Sequence, residues 1–355
     1  MRIGIDGRLI NETGVGRYIR NFTRELALQD KTNEYVVFLR ANAYNSFKPP
    51  NSRWAGVLAE VPWHTIAEQL IMPWVFLKAR LDLVHIPYFN VPIFYPGKFV
   101  VTIHDLTILH FDTGKASTLP MPLYKLRRLG YYLALAVGLR RAQKIIAVSQ
   151  TTKQEIVDHF QIDSDKIVVT YEGVDSKIYK STNDKSTNIN RLITEQYFLY
   201  VGNAYPHKNL ETLLLAIQQN TAKLVLVGKN DFFYERLKKN IVNRNVIFFG
   251  LANDEQLINL YMHASALVFP SLMEGFGLPA LEALALGCPV IVSDIPVFHE
   301  ILGSNATYFN PRDPRDLAEK LASARGKQKK VVLGIYSWST LASDTLALYE
   351  NCIRL

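Results

Sequence analysis

The strongest constraint on the fold is a regular alternation of short apolar runs with segments of helical spacing. Seven such runs, "RIGID", "EYVVFLR", "WAGVLAEV", "DLVHIPY", "FVVTIHD", "KIIAVS" and "KIVVTY", occupy the first half. Six more, "QYFLYVG", "AKLVLVG", "NVIFFG", "ALVFPS", "PVIVSD" and "ATYFN", occupy the second. Runs this apolar, separated by helices, predict strands buried on both faces of parallel sheets. The polar stretch "KSTNDKSTNIN", residues 180–190, reads as a linker or long surface loop between the halves. Two sheets in succession predict an α/β chain of two Rossmann-like domains facing a central cleft. The expected boundaries are 1–178 and 179–335. A closing helix over 336–355 carries Trp338, Leu341, Leu346 and Tyr349 at helical spacing and is expected to pack back on the first domain. Ligands of open parallel sheets sit beyond the carboxyl ends of the strands, so candidate functional residues are sought there.

Composition narrows the class. The chain has 355 residues, too many for one compact core, and no apolar run reaches the roughly 18 residues of a membrane span. "MRIGID" reads directly as a strand, not a secretory leader, and two cysteines, Cys288 and Cys352, cannot build a disulfide framework. A cytoplasmic setting is expected, with Cys288 a small buried residue at a helix-to-strand turn. The formal net charge of +8 calls for an anionic partner. Its cations are scattered, which argues against nucleic acid. The one concentration is "KLRRLGYYLALAVGLRRAQK", residues 125–144, with cations at both ends of an apolar middle. It reads either as an interfacial helix, for peripheral contact with an anionic membrane, or as a core helix with solvated ends.

"SLMEGFGLPALEALALGCPVIVSD", residues 271–294, sets Glu274 just past a strand end and Glu282 inside an apolar helical pattern. Gly275 and Gly277 allow the backbone to approach a ligand, and Pro279 and Gly287 suit a helix start and stop. The helix N-terminus offers free N–H groups to an anion. Glu282, placed by the pattern in the first helical turn, can accept hydrogen bonds from vicinal hydroxyls such as those of ribose. The helix dipole alone would explain Glu282, but not Glu274 or the glycines.

The two acids, with seven residues including "GFGLP" between them, resemble the donor-site signature of the retaining glycosyltransferases of family 4, which have the GT-B fold. The resemblance implies that Glu274 contacts the donor sugar, Glu282 the nucleotide ribose, and the backbone of Gly275, Phe276, Gly277 and Leu278 the sugar and diphosphate. "YVGNAYPHKNLETLLLAI", residues 200–217, resembles the family's diphosphate loop, with Lys208 as the diphosphate-binding lysine. The family often has arginine where Asn203 stands, so His207 or another residue is expected to supply that contact. Without the resemblance, Lys208 reads as a solvated loop cation.

"INETGVGRYIRNFTREL", residues 10–26, carries Gly14 and Gly16, which permit a tight loop before a helix N-terminus. Ile19 stands where a dinucleotide fingerprint would need a third glycine, which argues against a nicotinamide enzyme. The resemblance implies contacts from Gly16 and Arg17 to donor phosphate or acceptor. His104 and Asp105 end the strand "FVVTIHD". A lone histidine is commonly structural, but this one faces the expected cleft, and the resemblance gives it a hydrogen bond to the donor sugar. "TYEGVD", residues 170–175, resembles the segment leading out of the first domain, and "WHTIAEQLIMPW", residues 63–74, a subset rich in mannosyltransferases.

No metal-binding motif, Walker loop or nucleophile elbow is present, so no cofactor and no catalytic metal are expected. The expected activity is retaining transfer of a sugar from a nucleotide diphosphate sugar, GDP-mannose before UDP-sugars, to a glycan or lipid-linked acceptor hydroxyl. A nucleotide-sugar epimerase or hydrolase, and a non-catalytic sugar-binding protein, are the competing readings.

Overall fold

A computed structural model describes residues 1–111, 121–175, 178, 191–218, 220–239, 245–324, 331 and 334–354. The expected linker, residues 180–190, lies outside them. The chain forms two compact units, the first made of Met1–Leu106, Thr118–Gly173 and Ile335–Leu355, the second of Thr107–Ser117 and Val174–Gly334.

Each of the thirteen apolar runs contains a strand. The first unit holds β1 (Arg2–Asp6), β2 (Glu34–Leu39), β3 (Trp54–Leu58), β4 (Leu83–Ile86), β5 (Phe99–Ile103), β6 (Lys144–Ala147) and β7 (Ile167–Val169). All pair in parallel, in the order β3-β2-β1-β4-β5-β6-β7. The second unit holds β8 (Tyr197–Val201), β9 (Lys223–Val227), β10 (Val246–Gly250), β11 (Ala266–Phe269), β12 (Val290–Ser293) and β13 (Thr307–Phe309). Its order is β10-β9-β8-β11-β12-β13, again parallel. Both units are Rossmann-like, and in each the strand order reverses beside the first strand, at β1/β4 and β8/β11.

The helices are α1 (Gly14–Gln29), α2 (Ala41–Ser46), α3 (Ile66–Lys78), α4 (Thr107–His110), α5 (Met121–Arg141) and α6 (Gln150–Phe160), then α7 (Leu210–Ile217), α8 (Phe232–Lys239), α9 (Asp254–His263), α10 (Leu278–Ala285), α11 (Pro296–Leu302), α12 (Pro314–Ser323) and α13 (Trp338–Arg354). Local chemistry sets several of their starts. Thr65 accepts from the Glu68 N–H and Ser149 from the Thr152 N–H, while Asn253 and Gln256 form a capping box.

α13 belongs to the first unit although it follows the second in sequence. Trp338, Leu341 and Tyr349 are buried and Leu346 half-buried. Tyr349 Oη meets His85 Nδ1 at 2.5 Å, and His85 Nε2 meets Thr102 Oγ1 at 2.7 Å. Burial and the nearby His104 push the His85 pKa down to about 3, so this buried chain is held by a neutral imidazole.

The structure revises two local expectations. Gly14 and Gly16 sit within the first turn of α1, not in the loop before it. A Cβ at Gly16 would stand 2.6 Å from the Ile10 carbonyl oxygen and 2.8 Å from that of Leu9, so Gly16 lets the loop fold back on its own helix; Gly14 has nothing within 4 Å. The 125–144 segment is neither a wholly buried core helix nor a wholly exposed one, because α5 is buried on one face and open on the other. Leu135, Ala136 and Leu139 of α5 are buried, while Leu126, Leu129, Leu133 and Val137 are exposed. No described helix is long and apolar enough to cross a membrane.

Candidate functional site

The strand-order reversal of the second unit brings together Lys208, from the loop after β8, and Glu274, from the loop after β11. After β8 the chain passes through Gly202 and Asn203 into a short 3-10 turn, Pro206–Lys208. Asn209 ends that turn with φ 56°, a left-handed conformation that asparagine tolerates. Its Nδ2 donates to the carbonyls of Pro270 at 3.0 Å and Pro311 at 2.8 Å, tying the turn to the ends of β11 and β13. The Leu272 N–H donates to the His207 carbonyl at 2.8 Å, a second tie.

These ties deliver Lys208 to Glu274. Lys208 Nζ donates to Glu274 Oε1 at 2.6 Å, and Ser271 Oγ donates to the same oxygen at 2.6 Å. The two ionic side chains are 14% and 10% exposed, so the pair is mostly desolvated but open at one side. Lys208 Nζ also lies 5.5 Å above the Phe269 ring centroid. A cation and a carboxylate in contact, both partly open, suit a ligand that carries an anionic group close to hydroxyls. Glu274 stood out in the sequence pattern and Lys208 through the family resemblance, but neither gave any sign of Ser271 or Asn209, which fix them.

The glycine turn leads directly from this pair into α10. Gly275, Phe276 and Gly277 are buried and Leu278 half-buried. Gly277 has φ 99°, and a Cβ there would lie 2.8 Å from the Phe298 ring, so only glycine fits on both counts. Because α10 starts at Leu278, Glu282 falls in its second turn, not its first. Its side chain is buried at 1% exposure and Oε2 accepts from Tyr261 Oη at 3.0 Å. Asn203 shapes the preceding loop: its Oδ1 accepts from the Tyr205 N–H at 3.3 Å and its carbonyl from Tyr200 Oη at 2.5 Å. His207 is buried, with its ring 5.8 Å from Phe111 and 6.0 Å from Tyr205.

The remaining predicted residues belong to the first unit. Arg17 is half-buried on α1. His104 follows β5, and both its nitrogens are engaged: Nε2 with the Pro87 carbonyl at 3.0 Å, Nδ1 with Glu172 Oε1 at 3.0 Å. The carbonyl only accepts, so Nε2 carries a proton, and the carboxylate favours a second on Nδ1. Burial opposes that charge, but the hydrogen bond and charge of Glu172 outweigh it and raise the His104 pKa. Glu172 lies in the quoted "TYEGVD" segment, yet spacing alone does not pair it with a histidine 68 residues away. Cys288 and Cys352 are free and buried, and burial drives the Cys288 thiol up to about 12. No group of three or more metal-ligating side chains occurs among the described residues.

Two family models match in succession: "Glycosyltransferase Family 4" over residues 13–177 and "Glycosyl transferases group 1" over 182–331. The O-antigen chain mannosyltransferase RfbU of Salmonella typhimurium is 33% identical over 222 residues, 61% of this chain and 57% of that protein. The O-antigen chain mannosyltransferase B of Escherichia coli is 26% identical over 379 aligned residues, 95% of this chain and 96% of that protein. Among solved structures, sucrose-phosphate synthase from Thermosynechococcus elongatus matches with a TM-score of 0.75 at 19% identity, over 99% of this chain and 98% of the other, a likeness of fold. The chain therefore belongs to the glycosyltransferases described by these two models, with the GT-B pair of Rossmann-like domains.

Proposed function

We propose that this protein transfers a sugar from a nucleotide diphosphate sugar to an acceptor hydroxyl, with retention at the anomeric carbon. The observation that carries this reading is the Lys208–Glu274 contact of 2.6 Å at the strand-order reversal of the second unit. A nucleotide sugar is a ligand whose diphosphate lies next to ring hydroxyls. Lys208 offsets the charge that grows on the leaving diphosphate, and Glu274 accepts from the sugar hydroxyls. The Gly275–Leu278 backbone lines the sugar and diphosphate. Glu282 takes the ribose hydroxyls from one turn deeper in α10 than its sequence position suggests. His104, whose Nε2 N–H is on the Pro87 carbonyl, is the first unit's candidate for a hydrogen bond to a sugar hydroxyl. Lys208 and backbone N–H groups carry the diphosphate charge in this reading, without a metal.

Mannose from GDP-mannose is the proposed donor, supported by the names of the two O-antigen relatives. The proposed acceptor is a glycan or lipid-linked glycan at an anionic membrane surface. Support comes from exposed Ile66, Leu70, Trp74 and Leu77 on α3 and Leu126, Leu129, Leu133 and Val137 on α5. Exposed cations Lys78, Arg80, Lys125, Arg140 and Arg141 flank these stripes, as an anionic lipid surface requires.

A thermal-shift panel of GDP-mannose, GDP-glucose, UDP-glucose and UDP-galactose tests the donor. A ligand at a hundred times its Kd stabilises by about 2.7 kcal/mol, enough to raise Tm by several degrees. GDP-mannose is expected to give the largest rise, and a UDP-sugar doing so would overturn the donor assignment. Rapid isomerisation or stoichiometric free sugar without acceptor would instead indicate an epimerase or hydrolase.

A further inference from the structure

At the strand-order reversal of the first unit the ring-bearing side chains form a cluster that the donor chemistry leaves unused. Tyr88 and Phe89 follow β4 with ring centroids 3.7 Å apart. The His64 ring stacks on Phe89 at 5.4 Å and lies 5.2 Å from Tyr131 of α5, which meets Phe89 edge-on at 5.1 Å. Phe89 is buried, while Tyr88, His64 and Tyr131 each keep part of their surface open.

Two features go against stability and so point to a ligand. The first is the backbone of His64, held at φ 60°, a left-handed conformation that is unfavourable outside glycine. It is fixed by its N–H donating to Glu68 Oε2 at 2.8 Å. Glu68 is itself buried and accepts from Arg8 Nη2 at 2.6 Å and Asn90 Nδ2 at 2.8 Å, and Arg8 is paired with Asp6 at 2.6 Å. A buried ionic triad is a poor source of net stability compared with apolar packing, but a good device for fixing a loop. The second is the Tyr131 hydroxyl, buried without a hydrogen-bond partner among the described residues. Burial, with Tyr88, Asp105 and Glu68 nearby, raises its pKa well above the ordinary value, so it remains a neutral donor.

The charges around this cluster decide what it can hold. Asp105 and Glu68 are acidic, and Glu155 on α6 is pushed up to about 7 by burial and by Asp105 and Asp158. Arg8, the buried cation at this strand end, is already committed to Asp6 and Glu68. His104, 6.4 Å from Tyr88, is likewise held by Glu172, so an anion such as a diphosphate meets in these groups only cations that are already paired. A neutral, hydroxyl-rich ring needs no free cation: its C–H faces stack on aromatic rings and its hydroxyls bond to carboxylates and phenols.

We propose that Tyr88, His64 and Tyr131 form the subsite for the terminal sugar ring of the acceptor, an assignment resting on the glycosyl-transfer reading. The sugar stacks against Tyr88 and His64, and one of its hydroxyls accepts from Tyr131 Oη. The Asp6–Arg8–Glu68 triad acts through His64, as a positioning group.

The test uses the full chain without donor, by saturation-transfer NMR with methyl α-mannobioside, methyl α-glucoside and methyl α-galactoside. At least one is expected to receive saturation from the aromatic protons, and Tyr88→Ala to weaken that binding tenfold or more. Tyr131→Phe is expected to weaken it about fivefold while raising the Tm of the free protein, because it removes a hydroxyl buried without a partner among the described residues. A purely structural tyrosine would not move those two readouts in opposite directions. No binding of any probe to the wild type, or unchanged binding in both variants, overturns the proposal. GDP-mannose stabilisation, measured on the same variants, should stay at the wild-type value. Its absence in the wild type, with sugar binding intact, would count against the donor reading alone.

Discussion

The Lys208–Glu274 contact combines a structural and a functional role, and a double-mutant cycle separates them. Removing one partner of a buried ion pair costs about 3–5 kcal/mol, chiefly from the charge left behind. Here both side chains are about a tenth exposed and Glu274 keeps its hydrogen bond from Ser271. Discounting for both, Lys208→Met should cost about 2 kcal/mol of folding stability. For a domain of this size that is a Tm lower by about 4–8 °C. Glu274→Gln leaves the cation without its carboxylate and should cost a similar amount. The double variant leaves no charge unpaired and should return to within about 1 kcal/mol of the wild type.

Donor binding should behave differently. Loss of a charge-assisted contact to the diphosphate removes about 2–3 kcal/mol, or roughly 30- to 150-fold in Kd, and the double variant should not regain it. The assays are thermal denaturation with and without GDP-mannose and single-turnover transfer. If Lys208→Met lowers Tm as calculated but binds and turns over donor like the wild type, the pair is structural and the proposed function loses its main support. If the double variant is as unstable as the singles, the two groups are not the coupled unit described.

The pairing of His104 with Glu172 predicts a titration. His104 has a raised pKa in the fold, so its stabilising contribution is complete below its ordinary value near 6.5 and is lost as pH rises through the folded value. In Glu172→Gln the His104 ring protons, followed by NMR, should titrate at lower pH than in the wild type; an unmoved curve would refute the pairing. Asp30 predicts the opposite limb. Burial would raise it, but hydrogen bonds from Tyr35, Thr32 and Asn33 lower it from 3.8 to about 2. That difference is worth about 2 kcal/mol, present above pH 4 and lost as pH falls toward 2. Asp30→Asn should flatten the acid side of the stability profile and lower stability at neutral pH. For the exposed stripes, Trp74→Glu with Leu129→Glu should reduce co-sedimentation with vesicles containing anionic phosphatidylglycerol by about tenfold, leaving GDP-mannose stabilisation unchanged. Equal sedimentation would remove the membrane from the reading.

What the sequence revealed follows the range of the physics involved. Strands such as Leu83–Ile86 and Val290–Ser293 were legible because burial on both faces leaves a local apolar signature. Glu274 was legible as an acid beside a glycine turn at a strand end, and Lys208 only through the resemblance of its loop to a known family. Their supports were not. Asn209 acts by reaching carbonyls 61 and 102 residues away, and Glu172 by reaching a histidine on another strand end. Neither bond leaves a periodic trace. The depth of Glu282 was misjudged by a smaller effect. The pattern located the helix, but the left-handed turn at Gly277 sets its first residue, and a shift of a few residues moves a side chain from mouth to interior. The 125–144 segment resisted a single reading because burial of Leu139 and exposure of Leu133 coexist on one helix.

The two units show how little topology alone decides. Each reverses its strand order beside its first strand, and each gathers polar residues there, yet the charges are handled in opposite ways. In the second unit the cation at the reversal, Lys208, keeps 14% of its side-chain surface and a single carboxylate partner. It can therefore trade that carboxylate for a phosphate at small desolvation cost. In the first unit the cation, Arg8, has a fully buried side chain bound by two carboxylates and the Val61 carbonyl. Freeing it would strand two buried anions, so it has no affinity left for a third. The surface outside it is aromatic and acidic. One reversal thus leaves its cation open to exchange and the other does not, a difference that fits the proposed charged donor and neutral acceptor. Replacing Glu68 with Gln tests the difference directly. It leaves the triad neutral overall, so vanadate or pyrophosphate should still not bind the first unit, whereas the loosened His64 loop should weaken methyl mannobioside binding several-fold. Anion binding gained at Arg8 would show that charge pairing alone, and not burial, sets the difference.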